Sequence, residues 1–214
     1  AFPRQFAAWS GKVRAMTVPS YCPHCGSALS TKVEGGRERP ACTTEGCGFF
    51  HFTSVSIGCG GVVISEGKAL LIQRGHNPGR GSWQIPGGYV EDDEEIHAAI
   101  EREVLEEAGV VAQVRDVVGF RHSASRPDRP IPNLYVVFRL DPLAGEPQHD
   151  GDETLDAGYF SVDEMEGLLG IQNLSLWAVR MALGVEPAGG LISHHESFDL
   201  RPGWSIFGVP PHLS

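Results

Sequence analysis

The 214 residues suffice for one ordinary domain and a small accessory module, and 41% hydrophobic with 21% charged residues excludes the composition of a disordered chain. With 17 Lys and Arg against 27 Asp and Glu, the net charge of -10 argues against non-specific attachment to nucleic acid or an anionic membrane. No apolar run approaches the roughly 20 residues of a membrane-spanning helix, and Ala1 to Met16 lacks the apolar segment of a signal peptide, so a cytoplasmic protein is expected.

Residues 1–20 carry only a weak stripe of Phe2, Phe6, Trp9, Val13 and Met16, and no element is assigned there. Residues 21–53 hold four of the five cysteines and too little apolar material for a core without a staple. Cys22-Pro-His-Cys25-Gly and Cys42-Thr-Thr-Glu-Gly-Cys47-Gly form two knuckles whose spacing suits a tetrahedral Zn²⁺ site in a reducing compartment. His24 and His51 are alternative ligands, but four thiolates already close a structural site.

From Val55 the pattern changes. Val55 to Ile64 and Ala69 to Ile72 read as strands joined by a Glu66-Gly67 turn. After Pro86-Gly87-Gly88, a helix is predicted from Asp93 to Ala108, with Ile96, Ile100, Val104 and Ala108 at four-residue steps and Gly109 as its stop. Strands at Val110 to Phe120 and Leu134 to Leu140 flank the loop Arg121 to Asn133, whose three prolines and three arginines suggest a binding loop. A strand near Leu155 to Phe160 leads into Ser161-Val162-Asp163-Glu164, a helix start, and a last helix is predicted from Leu174 to Leu183. Beyond Val185 no period is usable. This divides the chain into an N-terminal segment (1–20), a cysteine module (21–53), a main domain (54–185) and a C-terminal extension (186–214).

The predicted acidic helix carries the chemistry. Glu103, Glu106 and Glu107 stand at i, i+3 and i+4, so their carboxylates share one face. Alone they repel, and they lie in the last turn, where the helix dipole prefers cations. A hard divalent ion would offset both penalties; the competing reading of the spacing is a solvated acidic face.

The whole stretch resembles the Nudix signature of the Nudix hydrolases: Gly88, five residues, Glu94, seven residues, Arg102-Glu103, an aliphatic residue, one residue, Glu106-Glu107, one residue, Gly109 and an aliphatic residue. That resemblance implies an α+β fold, the Nudix αβα sandwich around a mixed β-sheet. It implies Mg²⁺ or Mn²⁺ bound by Glu103, Glu106 and Glu107, with the Gly88 carbonyl as a further ligand, and Arg102 paired with Glu94 to orient the cluster. The implied reaction is metal-assisted hydrolysis of a phosphoanhydride, with Glu106 and Glu153 as equal candidates for the base. Glu153 has the competing reading of a solvent-facing loop carboxylate.

The cysteine module is similar to the zinc ribbon that precedes the catalytic domain in some Nudix hydrolases, including the NADH pyrophosphatase branch. The Ser-Gln-Pro-Trp-Pro-Phe-Pro-like element of that branch is absent, which leaves ADP-ribose or a related nucleotide sugar open beside a dinucleotide such as NADH. Arg74, Arg80, Arg121, Arg126 and Arg129 are candidates for phosphate binding, and Tyr89, with Trp83, Phe120 and Tyr135, for stacking on a base, although core or strand packing is the ordinary role of such aromatics. His194-His195-Glu196 reads as a polar tail and Cys59 as a small buried residue. The expected partner is a small nucleoside diphosphate derivative, with no nucleic acid and no membrane, and a homodimer is compatible with the resemblance. Two other readings stay open: a nucleotide-sensing regulator or RNA-binding protein using the ribbon, and a Nudix-fold isoprenoid diphosphate isomerase.

Overall fold

The computed structural model describes residues 19–52, 54–126, 130–184, 191–193 and 207–208. The Phe2 to Met16 stripe, Arg129 and His194-His195-Glu196 lie outside the described residues. The chain forms two units, Ala1–Val55 with Ala124–Pro132, and Ser56–Ser123 with Asn133–Ser214.

In the first unit, β1 (Leu29–Glu34) and β2 (Arg37–Cys42) form an antiparallel hairpin in register from Leu29 opposite Cys42 to Glu34 opposite Arg37. Among its described residues, only Cys22, Ala41 and Cys42 are buried apolar side chains. That is too small a core to hold a fold by burial alone.

The second unit has apolar residues on both faces of a sheet. Its strands are β3 (Ser56–Ser65), β4 (Lys68–Arg74), β5 (Trp83–Gln84), β6 (Gly87–Tyr89), β7 (Val111–Ser123), β8 (Asn133–Ala144) and β9 (Thr154–Phe160), with the short β10 (Leu191–Ser193) and β11 (Phe207–Gly208). Its helices are α1 (Ile96–Ala108), α2 (Val162–Glu166) and α3 (Asn173–Gly184). β3 runs parallel to β8 while the other pairings are antiparallel, giving the mixed sheet order β11-β10-β7-β8-β3-β4-β5, with β6 on β3 and β9 on β4.

Strand alternation divides the core in two. Val63, Leu70, Ile72, Phe138 and Leu140 face Ala99, Ile100, Val104 and Ala108 of α1. Val62, Ala69, Leu71 and Val137 face Met165 of α2 and Ala178, Val179 and Ala182 of α3. The result is the αβα sandwich expected from the sequence.

The four-residue apolar step of α1 buries Ile100, Val104 and Ala108 and packs Ile96 at the margin. Gly109 ends the helix with φ of 68°, its N–H donating to the Leu105 carbonyl. The helix begins at Ile96 rather than Asp93, because Glu94 is held in the preceding turn, accepting from the Glu91 N–H at 3.0 Å. Ser161 and Glu164 form the reciprocal capping box of α2. β7 continues to Ser123, so Arg121 lies on a strand and the loop proper is shorter than its sequence suggested. β10 pairs with β7 and β11 with β10, which adds strand structure to the C-terminal region where no period was legible. Among the described residues, no helix is long and apolar enough to cross a membrane.

Candidate active site

Arg102 is the hub of the acidic helix. Its Nε and Nη2 donate to Glu94 Oε2 and Oε1 at 3.0 and 2.8 Å, a bidentate fork, while Nη1 donates to Glu103 at 3.0 Å and Glu106 at 2.9 Å. The Glu94 carboxyl is held below its ordinary range by the Arg102 hydrogen bonds. Glu94, Glu103 and Glu106 are thereby gathered around one guanidinium. Glu107 turns the other way and accepts the Gly87 N–H at 2.8 Å.

The turn before α1 fits against this cluster with no room to spare. β6 pairs with β3, setting Gly88 opposite Cys59. A methyl group on Gly88 would lie 2.6 Å from the carboxyl carbon of Glu103, so any larger residue there would displace that carboxylate.

Burial disfavours the charged form of two of the carboxylates. Desolvation raises Glu103 above the usual carboxylate range, and it pushes Glu107, only 8% exposed, up to about 8. Glu153 adds to both shifts through its negative charge, so its carboxylate stands within electrostatic reach of Glu103 and Glu107. The Glu153 loop is tied down by Gly75 N–H donating to the Glu153 carbonyl at 2.7 Å and by Thr154 Oγ1 at 3.0 Å from the Glu107 carbonyl. An all-oxygen donor set with desolvated negative charge fits a hard divalent ion. The trio is not drawn into a tight ring: among the described residues, the cysteines alone form a compact ligand group, and Arg102 occupies the position between Glu103 and Glu106.

The arginine candidates separate. Arg74 lies close enough to Glu107 to favour its charged form, with Nη1 on Gln84 Oε1 at 3.3 Å. Arg80 Nη1 donates to the Gly75 carbonyl. Arg121 Nη2 donates to Asn133 Oδ1 at 2.5 Å. Arg126 belongs to the other unit. Tyr89 and Phe120 are exposed, Trp83 is buried edge-on to Phe160, and Tyr135 lies over the glycines of β3. The chain's motif pointed to the carboxylates, whereas the Gly87 N–H that holds Glu107 and the Thr154 tether carry no sequence signal beyond a turn glycine and a loop threonine.

In the first unit, the sulfurs of Cys22, Cys25, Cys42 and Cys47 all lie within 4.8 Å of one another, with Cys22 to Cys47 at 3.6 Å and Cys25 to Cys42 at 3.5 Å. A tetrahedral zinc with bonds of about 2.3 Å sets its sulfurs about 3.8 Å apart. The four sulfurs are therefore spaced to hold one ion. Gly26 and Gly48, each following a second knuckle cysteine, take φ of 73° and 65°, which lets the backbone fold back toward sulfur. His24 instead packs its ring edge-on to Phe49. Hydrogen bonding from the Ser27 side chain and backbone brings Cys25 down to about 6. At Cys47, a backbone hydrogen bond from Phe49 is outweighed by desolvation and the neighbouring sulfurs, which push it up to about 12. Protons thus remain on part of the cluster, and a divalent ion would displace them.

The profile of the NUDIX domain matches residues 56–178, more than half of the chain. The chain belongs to the Nudix family. An ADP-ribose pyrophosphatase of Methanocaldococcus jannaschii is 34% identical over 108 residues, which span 50% of this chain and 63% of that protein. A NAD-capped RNA hydrolase NudC of Pectobacterium carotovorum is 29% identical over 150 residues, 69% of this chain and 53% of that protein. The Nudix chain thus spans less than two thirds of each of these relatives. The crystal structure of a NUDIX hydrolase from Nitrosomonas europaea matches with a TM-score of 0.60 at 24% identity, over 78% of this chain and 91% of that one, and shows the shared Nudix fold.

Proposed function

We propose that the chain is a Mg²⁺- or Mn²⁺-dependent pyrophosphohydrolase that cleaves the diphosphate of a nucleoside diphosphate linked to a second moiety, with ADP-ribose or a dinucleotide such as NADH as substrate. The arrangement around Arg102 carries the reading. One guanidinium orients Glu103 and Glu106 from a fork anchored on Glu94, and Glu103 is itself desolvated, as is its neighbour Glu107. A solvated acidic face would not bury Glu107 on a backbone N–H. The names of the two relatives share an adenylyl diphosphate, which supports the substrate class.

In this proposal Glu103, Glu106, Glu107 and the Gly88 carbonyl hold the ions. When bound, these supply positive charge against the diphosphate oxygens and the leaving group. Arg102 fixes the carboxylates, and Glu94 fixes Arg102. Glu106, which is exposed, or Glu153, on its tethered loop, accepts the proton of the attacking water. Arg74 is favoured among the phosphate-binding arginines by its proximity to Glu107. The cysteine cluster holds a structural Zn²⁺, and a homodimer belongs to the same proposal, open to test by sedimentation.

The deciding experiment is a panel of ADP-ribose, NADH, NAD, FAD, NAD-capped RNA and nucleoside triphosphates, each with Mg²⁺ and Mn²⁺. Turnover of a diphosphate-linked nucleoside to a mononucleotide is expected. Glu106→Gln should lower kcat by at least 100-fold, on the order of the loss expected when a group acting only in the transition state is removed, with an unchanged melting curve. Glu153→Gln compared with it separates the two candidate bases. Turnover by Glu106→Gln at the unmodified rate would reject the site.

A further inference from the structure

Beside the carboxylate cluster, on the sheet face that carries α3, lies a group of polar atoms the proposed chemistry does not use. The register sets Arg121 of β7 opposite Tyr135 of β8, Tyr135 opposite Gly58 of β3, and Gly58 opposite Tyr89 of β6. Directly opposed residues project from one face of a sheet, so these four form a row running toward the turn that leads into α1.

The glycines of the row make room for one ring, and Tyr135 fills it. A methyl on Gly58 would stand 2.8 Å from Tyr135 Cδ2, and one on Gly60 2.8 Å from its Cε1. The Tyr135 ring therefore lies flat along a track that only glycine leaves open. Its hydroxyl reaches the turn: a methyl on Gly87 would come within 2.8 Å of Tyr135 Oη. Gly87 is the residue whose N–H holds Glu107.

Two donors on this row are idle. Tyr135 Oη has no hydrogen-bond partner among the described residues. Arg121 Nε is buried without a partner, although its guanidinium sits 5.4 Å from the Tyr135 ring centroid and its Nη2 is used by Asn133. Leaving a buried donor on a charged group unmade is costly, and an anion or other oxygen acceptor arriving with substrate removes that cost. The charge also fits: in a chain of net charge -10, with carboxylates on the adjoining turn, a diphosphate needs a cation on its far side. Tyr135 is already pinned by packing, so its hydroxyl is preorganised.

We propose that Tyr135 Oη and Arg121 Nε form a second, metal-free half of the substrate site, donating to oxygens of the phosphoryl and adjoining sugar portion of the bound nucleoside diphosphate and reading that portion rather than the base. The inference rests on the diphosphate hydrolase reading, but it is tested by binding as well as by turnover. Neither residue takes part in bond breaking, so both act on affinity.

Tyr135→Phe keeps the ring over Gly58 and Gly60 and removes one donor; Arg121→Gln removes the charge and the fork. Each should raise KM for ADP-ribose by about tenfold, the size of one hydrogen bond to a charged group, with kcat within about threefold. The same factor should appear for GDP-ribose and CDP-ribose. In calorimetry with the methylene-bridged, non-hydrolysable analogue of ADP-ribose and Mg²⁺, both variants should bind more weakly by the same factor, while Tyr135→Phe melts with the unmodified protein. Unchanged analogue affinity in both variants overturns the proposal, and so does a loss confined to one base. If the unmodified protein binds the analogue but hydrolyses no diphosphate, the hydrolase reading fails while the variants still decide this one.

Discussion

Arg102 does with one side chain what three separate contacts would do less rigidly. Its planar fork takes both oxygens of Glu94 and leaves Nη1 to divide between Glu103 and Glu106. Lysine, a point charge on a flexible stem, could not hold that geometry. The loop bearing Glu153 is ordered by a comparable device, because Asp150 Oδ1 accepts the N–H groups of Asp152 at 3.0 Å and Thr154 at 2.9 Å. Partial desolvation pushes the Asp150 carboxyl upward, but the N–H groups of Thr154 and Asp152 outweigh it and hold it below the ordinary range. An acid depressed in the folded state adds stability that is present above its unfolded value and lost as pH falls through its folded value. The loop should therefore hold from neutrality down to about pH 4, the ordinary value for aspartate, and loosen below it. Hydrogen-exchange protection of the Asp152 and Thr154 amides should fall only at that acid end in the unmodified protein, and be low at every pH in Asp150→Ala. An identical acid profile in the two proteins would remove the carboxylate from this role.

At the scale of elements, the sandwich is pinned by a buried ion pair as well as by apolar packing. Arg139 of β8 and Asp116 of β7 are 3% and 0% exposed; Arg139 Nε donates to Asp116 Oδ1 at 3.1 Å and Nη1 to the Ala182 carbonyl of α3 at 2.9 Å. The pair thus joins two strands to the last turns of a helix. Asp116→Asn breaks a buried, doubly hydrogen-bonded ion pair and should cost about 3–5 kcal/mol, read as a lower urea midpoint with an unchanged slope. Replacing both partners, Asp116→Leu with Arg139→Met, should restore most of that loss, and a double variant no better than the single one would contradict the account. The sequence disclosed those elements whose pattern exceeds one structural period. The i, i+4 apolar step of α1, its Gly109 stop, the Ser161-Glu164 box and the long strands β3, β7 and β8 were all legible. β5 and β6, two and three residues long, contain too few side chains for alternation to show, and β6 is the element that brings Gly87 and Gly88 to the carboxylates. Helix α1 starts late because Glu94, polar and suited to a helix by propensity, is held by Arg102 and by the Glu91 N–H instead. Within the site, a motif identified the carboxylates. The idle donors of Arg121 and Tyr135 arise from pairing across three strands, which no local pattern records.

For the whole molecule, the two units place different demands on metal. The body around α1 has two apolar layers and is expected to fold without an ion. The cysteine unit exposes nearly the whole of β1, and its described apolar burial consists of Cys22, Ala41 and Cys42. With so small a core, binding energy at the four sulfurs is folding energy. A divalent ion there must also displace the protons held by the cluster, as at Cys47, so uptake should release acid and weaken as pH falls. Elemental analysis should find one zinc per chain. With zinc bound, a thiol reagent should find the cluster protected; after chelation, Cys22, Cys25, Cys42 and Cys47 should all react. Cys59 is fully buried in the body, where desolvation pushes its thiol up to about 12, so the fifth cysteine should react only when the body itself is unfolded. Four fast thiols and one slow one after chelation is the expected count, read directly by mass spectrometry of the alkylated protein. Five fast thiols would mean that the body also depends on the ion, and a cluster already reactive in protein that contains zinc would place the metal elsewhere.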